Sequence, residues 1–192
     1  MKKKFKSLIL ISCLFLLCSC GNKNNKVEID VEDYGKIVIE LYPDKAPRTV
    51  RNFKELVSNN FYDGVIFHRV ILDFMIQTGD PTKTGNGGSE KTIKGEFLNN
   101  GFKNTISHTR GVVSMARRGA NPDTEETMNS ASSQFFIVQE DSTYLDGKYA
   151  AFGKVISGMD VVDKIAHVET DSNDRPLKEI KINTIKFVEE GE

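Results

Sequence analysis

Apolar and polar residues alternate with a period of two along residues 27–31, where Val27, Ile29 and Val31 are separated by Glu28 and Asp30. The alternation resumes at Ile37, Ile39 and Leu41, with Asp33-Tyr34-Gly35 between the two runs. Two such runs around a glycine-containing turn predict a β-hairpin with one buried face. From Pro47 to Asn60 the spacing shifts to three and four. Val50, Phe53, Leu56 and Val57 then share a face, and proline is tolerated in a first turn, so a helix is predicted. Further strand-like runs cover 65–71, 74–78, 111–115, 135–138 and 151–155, and a second helix fits 159–166. In the last run, 180–188, Ile180 and Ile182 keep one parity while Ile185 and Phe187 take the other, which predicts a bulge or twist between them.

Short strands, two helices and intervening turns predict a mainly β domain built on a closed antiparallel sheet, as opposed to a βαβ stack. The stretch Gly85-Asn86-Gly87-Gly88 lacks the Lys-Ser/Thr of a phosphate loop and opens no helix. It reads as a flexible loop beside a groove.

The ends change the picture of where the domain works. Lys2, Lys3, Lys4 and Lys6 precede a mostly apolar run, 8–17, which is too short to favour a spanning helix and reads as an export signal over 1–19. Leu17-Cys18-Ser19-Cys20 resembles a bacterial lipobox, with Cys20 as the lipidated residue; an ordinary secretory signal with incidental cysteines is the alternative. Residues 20–26 would then be a lipidated cysteine and polar tether, and 27–190 the folded domain, extracytoplasmic and held at the membrane by its N-terminal lipid. Of 192 residues, 173 remain after removing 19. All three cysteines, Cys13, Cys18 and Cys20, lie in the signal or at the lipid site, so thiol nucleophiles and cysteine metal clusters are excluded from the domain. Loss of the four leader lysines leaves 22 basic against 27 acidic residues, a net charge of −5 with histidine neutral, which argues against a nucleic-acid partner.

The candidate chemistry lies in Val65-Ile-Phe-His-Arg-Val-Ile-Leu-Asp-Phe-Met-Ile-Gln-Thr-Gly-Asp80 and Ser132-Ser-Gln-Phe-Phe-Ile-Val138, which set one arginine and two glutamines among apolar side chains. An arginine there is a permanently charged donor fork beside an apolar surface; a surface arginine in an ion pair is the bland alternative. Phe67-His68-Arg69-Val70, Asp73–Asp80, Ser133-Gln134-Phe135-Phe136 and Leu145-Asp146-Gly147-Lys148 occur in an order that resembles the cyclophilins, peptidyl-prolyl cis-trans isomerases, over nearly all of 27–188. The resemblance implies a closed eight-stranded antiparallel β-barrel capped by two α-helices, with Xaa-Pro peptides as substrates and no metal or cofactor. It implies catalytic roles for Arg69, Gln77 and Phe136, with Gln77 orienting Arg69. Phe74, Met75, Phe136 and Leu145 would surround the proline ring. Gln134 and the backbone at Ala116 and Arg117 would hold the peptide chain, with Gly85 on the neighbouring loop.

Two departures stand in the same groove. Tyr144 and Tyr149 occupy positions where the best-known eukaryotic members carry Trp and His, which puts strong cyclosporin binding in doubt and leaves weak binding as the expectation. Residues 119–129 form a longer stretch than is usual in bacterial relatives, with Asp123, Glu125 and Glu126, and read as a solvated acidic loop, with substrate selection as the alternative. His68, His108 and His167 have bland readings, His68 because a strand would point it away from Arg69. Ser132 and Ser133 lack a nucleophile-elbow pattern. The expected protein is a monomeric isomerase that assists exported chains, and the rival is a proline-peptide-binding chaperone or scaffold with little turnover.

Overall fold

The computed structural model describes residues 24–188; the signal, Cys20 and the first part of the tether lie outside the described residues. Eight antiparallel strands run β1 (Lys26–Val31), β2 (Gly35–Leu41), β3 (Arg69–Ile71), β4 (Met75–Thr78), β5 (Val112–Met115), β6 (Phe135–Val138), β7 (Ala151–Ser157) and β8 (Ile182–Phe187). Three helices accompany them: α1 (Pro47–Ser58), α2 (Glu125–Met128) and α3 (Met159–Ala166). The spatial order is β3-β4-β6-β5-β7-β2-β1-β8.

The expected closed barrel is corrected to a curled half-barrel. Strands β3 and β8 end the order and do not pair as a ladder; a single bridge, Ile66 to Lys181, spans the seam with hydrogen bonds from Phe67 N–H to Ile180 C=O and from Ile182 N–H to Val65 C=O. The sheet stays open because 65–68, expected as part of a strand through 71, is extended chain outside any ladder, and β3 keeps only three residues. Along β8 the change of parity is a bulge: Asp30 faces Thr184 and Val31 faces Ile182, so Asn183 is the extra residue and both Ile182 and Ile185 point inward.

Inside the curl, Phe53 from α1 lies 5.2–5.5 Å from the rings of Tyr62, Phe135 and Phe152. Burying each such ring contributes roughly 1.5–3 kcal/mol. Helix α1 has Pro47 in its first turn but no side-chain cap from Ala46. Its orphan N–H groups are met from a distant loop, where the fully buried Glu96 carboxylate accepts from Arg48 N–H, Thr49 N–H and the Thr49 hydroxyl at 2.9–3.0 Å. Helix α3 begins at Gly158, at φ 87, where a Cβ would run into the Lys36 carbonyl.

The acidic stretch 119–129 is solvated, with 119–126 exposed. It contains α2, four residues long, started by a capping box between Thr124 and Thr127. It is pinned at its root by a bidentate pair in which Arg117 donates to Asp123 at 2.7–2.8 Å.

Candidate active site

Register places the site. Arg69 on β3 lies opposite Gln77 on β4, Gln77 opposite Phe136 on β6, and Phe136 opposite Ser114 on β5. Residues directly opposite in a sheet project from the same face, so this row stands on the face away from the main core, while Phe135 and Ile137 point into it. Met75, Phe136, Val138 and Leu145 form a second apolar cluster on that outer face, with Phe74, Ala116 and Tyr149 packed at its edge. The sheet therefore carries a buried apolar surface on both sides near β4–β6, and the outer one is roofed by loops.

Those loops leave a groove. A cavity of about 220 Å³ is lined by His68, Arg69, Phe74, Met75, Gln77, Gly85, Ala116, Arg117, Phe136, Leu145 and Tyr149. A larger hollow of about 440 Å³ adjoins it, sharing Gln77, Gly85, Ala116 and Arg117 and adding Gln134, Arg118, Ser130 and the 86–89 loop. Phe136 is 5% exposed and floors the smaller cavity. The Tyr149 ring meets it edge-on at 5.8 Å, and the His108 ring stacks on it at 6.2 Å.

The loop over the groove is shaped by one carboxylate. Asp80, fully buried, accepts from the N–H groups of Thr82, Thr84, Gly85 and Gly87 and from both threonine hydroxyls. Burial disfavours its ionised form, but these hydrogen bonds outweigh that and hold its carboxyl below the usual range. The loop then turns the carbonyls of Gly85 and Gly87 toward Gln134, whose amide donates to them at 2.9 and 2.7 Å. Gln134 in turn accepts from the Gln77 amide at 2.8 Å. Asp80, the glycine loop, Gln134 and Gln77 form one hydrogen-bonded chain along the groove wall.

A family model described as cyclophilin type peptidyl-prolyl cis-trans isomerase/CLD matches residues 26–187. The chain belongs to the cyclophilin-type peptidyl-prolyl cis-trans isomerase family. Among its relatives, peptidyl-prolyl cis-trans isomerase-like 1 of Aspergillus fumigatus is 46% identical over 82% of this chain and 92% of its own length. The isomerase ppi1 of Schizosaccharomyces pombe is 46% identical over 77% of this chain and 90% of its own. A crystal structure of a cyclophilin-type isomerase from Cryptosporidium parvum superposes with a TM-score of 0.77 at 32% identity, covering 87% of this chain and 99% of that one. A second structure of that protein, in the presence of the dipeptide Ala-Pro, gives 0.76 at 31% identity.

Within this cyclophilin groove the sequence-predicted residues divide. Arg69, Phe74, Met75, Gln77, Gly85, Ala116, Arg117, Phe136, Leu145 and Tyr149 line the smaller cavity together, and Gln134 lines the larger. Tyr144 lines neither; it is 60% exposed, with its ring 5.9 Å from Phe74 at the rim. The Arg117 side chain is sequestered, 4% exposed, with its guanidinium between the rings of Phe97 and Tyr149 at 5.3 and 4.9 Å. Gln77 was expected to orient Arg69, but its amide goes to Gln134, and the polar partner of Arg69 is Asp174, at 3.2 Å.

Sequence reasoning missed three contributors. His68 lines the cavity because it precedes β3 and is not bound by strand alternation, which corrects its assignment to the far face. It is 6% exposed, neither ring nitrogen has a geometric hydrogen-bond partner among the described residues, and burial pushes its pKa down against the opposing pull of Asp80 and of the nearby Gln134 side chain. The Asp80 cage had a local signal, an Asp followed by threonines at two and four residues. Asp174 lies 105 residues from Arg69, and no local pattern links them.

His108 is buried under Phe136 in a defined hydrogen-bond pair. Its Nδ1 lies 2.9 Å from Asp146 Oδ1 and its Nε2 lies 3.0 Å from the Ser114 hydroxyl. A neutral ring that donates from Nδ1 and accepts at Nε2 satisfies both. Burial lowers its pKa, against the raising influence of Asp146.

Proposed function

We infer that the protein is a peptidyl-prolyl cis-trans isomerase, rotating Xaa-Pro bonds of polypeptides held along the groove. The observation that carries this reading is the cross-strand row of Arg69, Gln77 and Phe136 lining a cavity of about 220 Å³ in which Phe74, Met75 and Leu145 supply an apolar side. Rotation is opposed by amide resonance, with a barrier of about 18–20 kcal/mol, and no bond is broken. Catalysis therefore requires differential stabilisation of the twisted amide, whose nitrogen regains a lone pair. Phe136, Met75, Leu145 and Phe74 offer the apolar floor and wall for the proline ring. The guanidinium of Arg69 donates to the pyramidal nitrogen. The hydrogen-bonded chain through Gln77 and Gln134 fixes the wall on which the peptide backbone lies.

We further propose that the isomerase is a monomeric lipoprotein, cleaved before Cys20 and tethered through 20–26 outside the cytoplasm, where it assists the folding of exported proteins. The lysines of the leader, its short apolar run and Leu17-Cys18-Ser19-Cys20 support this form.

The test of the chemistry is Arg69→Ala in a protease-coupled isomerisation assay on a short Xaa-Pro peptide. kcat/KM should fall at least about tenfold, equivalent to roughly 1.4 kcal/mol of transition-state stabilisation. The melting temperature should barely move, since a half-exposed ion pair contributes only about 0–1 kcal/mol. Full activity in the folded variant would reject the role of Arg69.

A further inference from the structure

The Arg69–Asp174 pair meets at the mouth of the cavity, where the Asp174 Oδ2 accepts from the Arg69 Nε. With Nε taken by a carboxylate, the N–H groups at the end of the fork remain for the cavity that Arg69 lines. The two side chains are 44% and 42% exposed, and a pair so open to water adds little to stability. The surroundings of Asp174 are much more elaborate than such a pair needs. Its backbone is left-handed, at φ 63, and its N–H donates to Asp171 C=O. Its own carbonyl accepts from Val70 N–H at 2.8 Å, one residue along β3 from Arg69. The Asp171 carboxylate receives the N–H groups of Asn173 and Arg175, and the Arg175 guanidinium donates to Lys83 C=O on the Asp80 loop. The turn is thus fastened to β3 on one side and to the roof of the groove on the other.

We propose that Asp174 is a positioning residue for the isomerase reaction: it holds the long, many-rotamer side chain of Arg69 by its Nε and presents the fork end to the twisting amide. Pre-organising a donor raises the rate by removing the need to order it in the transition state. The inference rests on the catalytic role assigned to Arg69 above, so its test runs in two backgrounds.

Asp174→Gly deletes the carboxylate without straining a left-handed backbone, and Asp174→Asn keeps both that backbone and an oxygen able to accept the Nε–H. The intact mature protein is assayed for kcat and KM on an Xaa-Pro peptide, alongside a thermal melt. Asp174→Gly should lower kcat about five- to tenfold with KM changed less than about twofold, and Asp174→Asn should restore kcat to within about threefold. In an Arg69→Ala background, Asp174→Gly should cause no further loss, because the two residues act as one unit. Unchanged or higher kcat in a folded Asp174→Gly protein overturns the proposal, as does an equal loss in both backgrounds. Full activity in Arg69→Ala alone removes the catalytic assignment of Arg69 itself, and the role of Asp174 with it.

Discussion

Replacing Asp80 by Asn tests how the groove is held open. The carboxylate is fully buried, and its two oxygens divide the work: Oδ1 serves the N–H and hydroxyl of Thr82, and Oδ2 serves the N–H groups of Thr84, Gly85 and Gly87 and the Thr84 hydroxyl. An asparagine oxygen can retain the Thr82 pair, but its NH2 would then face three backbone donors that have no acceptor. A hydrogen bond to a charged group contributes about 1.5–3 kcal/mol net; these three share one oxygen in a loop that water can reach, so we expect a total loss of about 2–4 kcal/mol. For a domain of this size that lowers the melting temperature by roughly 5–15 °C. Function should change in a particular way. A loosened loop withdraws the Gly85 and Gly87 carbonyls from Gln134, so KM should rise, while kcat holds because Arg69 and Phe136 are untouched. The pH dependence has a definite sign: the Asp80 pKa is depressed on folding, so its contribution is complete above the unfolded value near 3.9 and is lost as pH falls through the folded value. Asp80→Asn should flatten that acid limb. Thermal melts and Michaelis–Menten analysis of the same preparation decide it, and a variant melting within about 1 °C of wild type with unchanged KM would refute the reasoning.

Burial lowers the pKa of both His68 and His108, so between the folded and unfolded values the unfolded chain binds protons that the native state does not. Stability should therefore fall as pH drops below about 6.5, and His68→Gln should make that slope shallower; melts from pH 7.5 to 5.5 with no slope would exclude the effect. Cys20→Ala should release the protein from membranes or leave an uncut precursor, read by fractionation and intact mass; membrane retention at the normal mature mass would remove the lipoprotein proposal. Tyr144 stands exposed at the rim beside Phe74, and a phenol there lacks the indole N–H. Cyclosporin should inhibit weakly, and Tyr144→Trp should tighten inhibition by about 1–2 kcal/mol, the scale of one regained hydrogen bond with its packing; equal inhibition constants would assign the effect to another residue.

Local spacing in the sequence determined a good deal of this protein. Alternation placed the β1–β2 hairpin, three-and-four spacing placed α1 and α3, and the parity change between Ile182 and Ile185 predicted a bulge or twist, which the strand register sets at Asn183. These succeed because burial of one face is a short-range periodic constraint that each element must satisfy alone. The groove residues were legible for another reason: the motifs around Arg69, Gln134 and Leu145 resemble a known family, and register then set Arg69, Gln77 and Phe136 in a row. Tertiary structure decided the rest. Whether the sheet closes depends on how β3 and β8 meet, 182 − 71 = 111 residues apart along the chain, and only a single bridge forms there. Which carboxylate caps α1, which ring nitrogens are left without partners at His68, and which acid holds Arg69 depend on loops whose polar groups must find acceptors once water is excluded. Such partners are chosen by proximity in the folded chain, which no periodicity records.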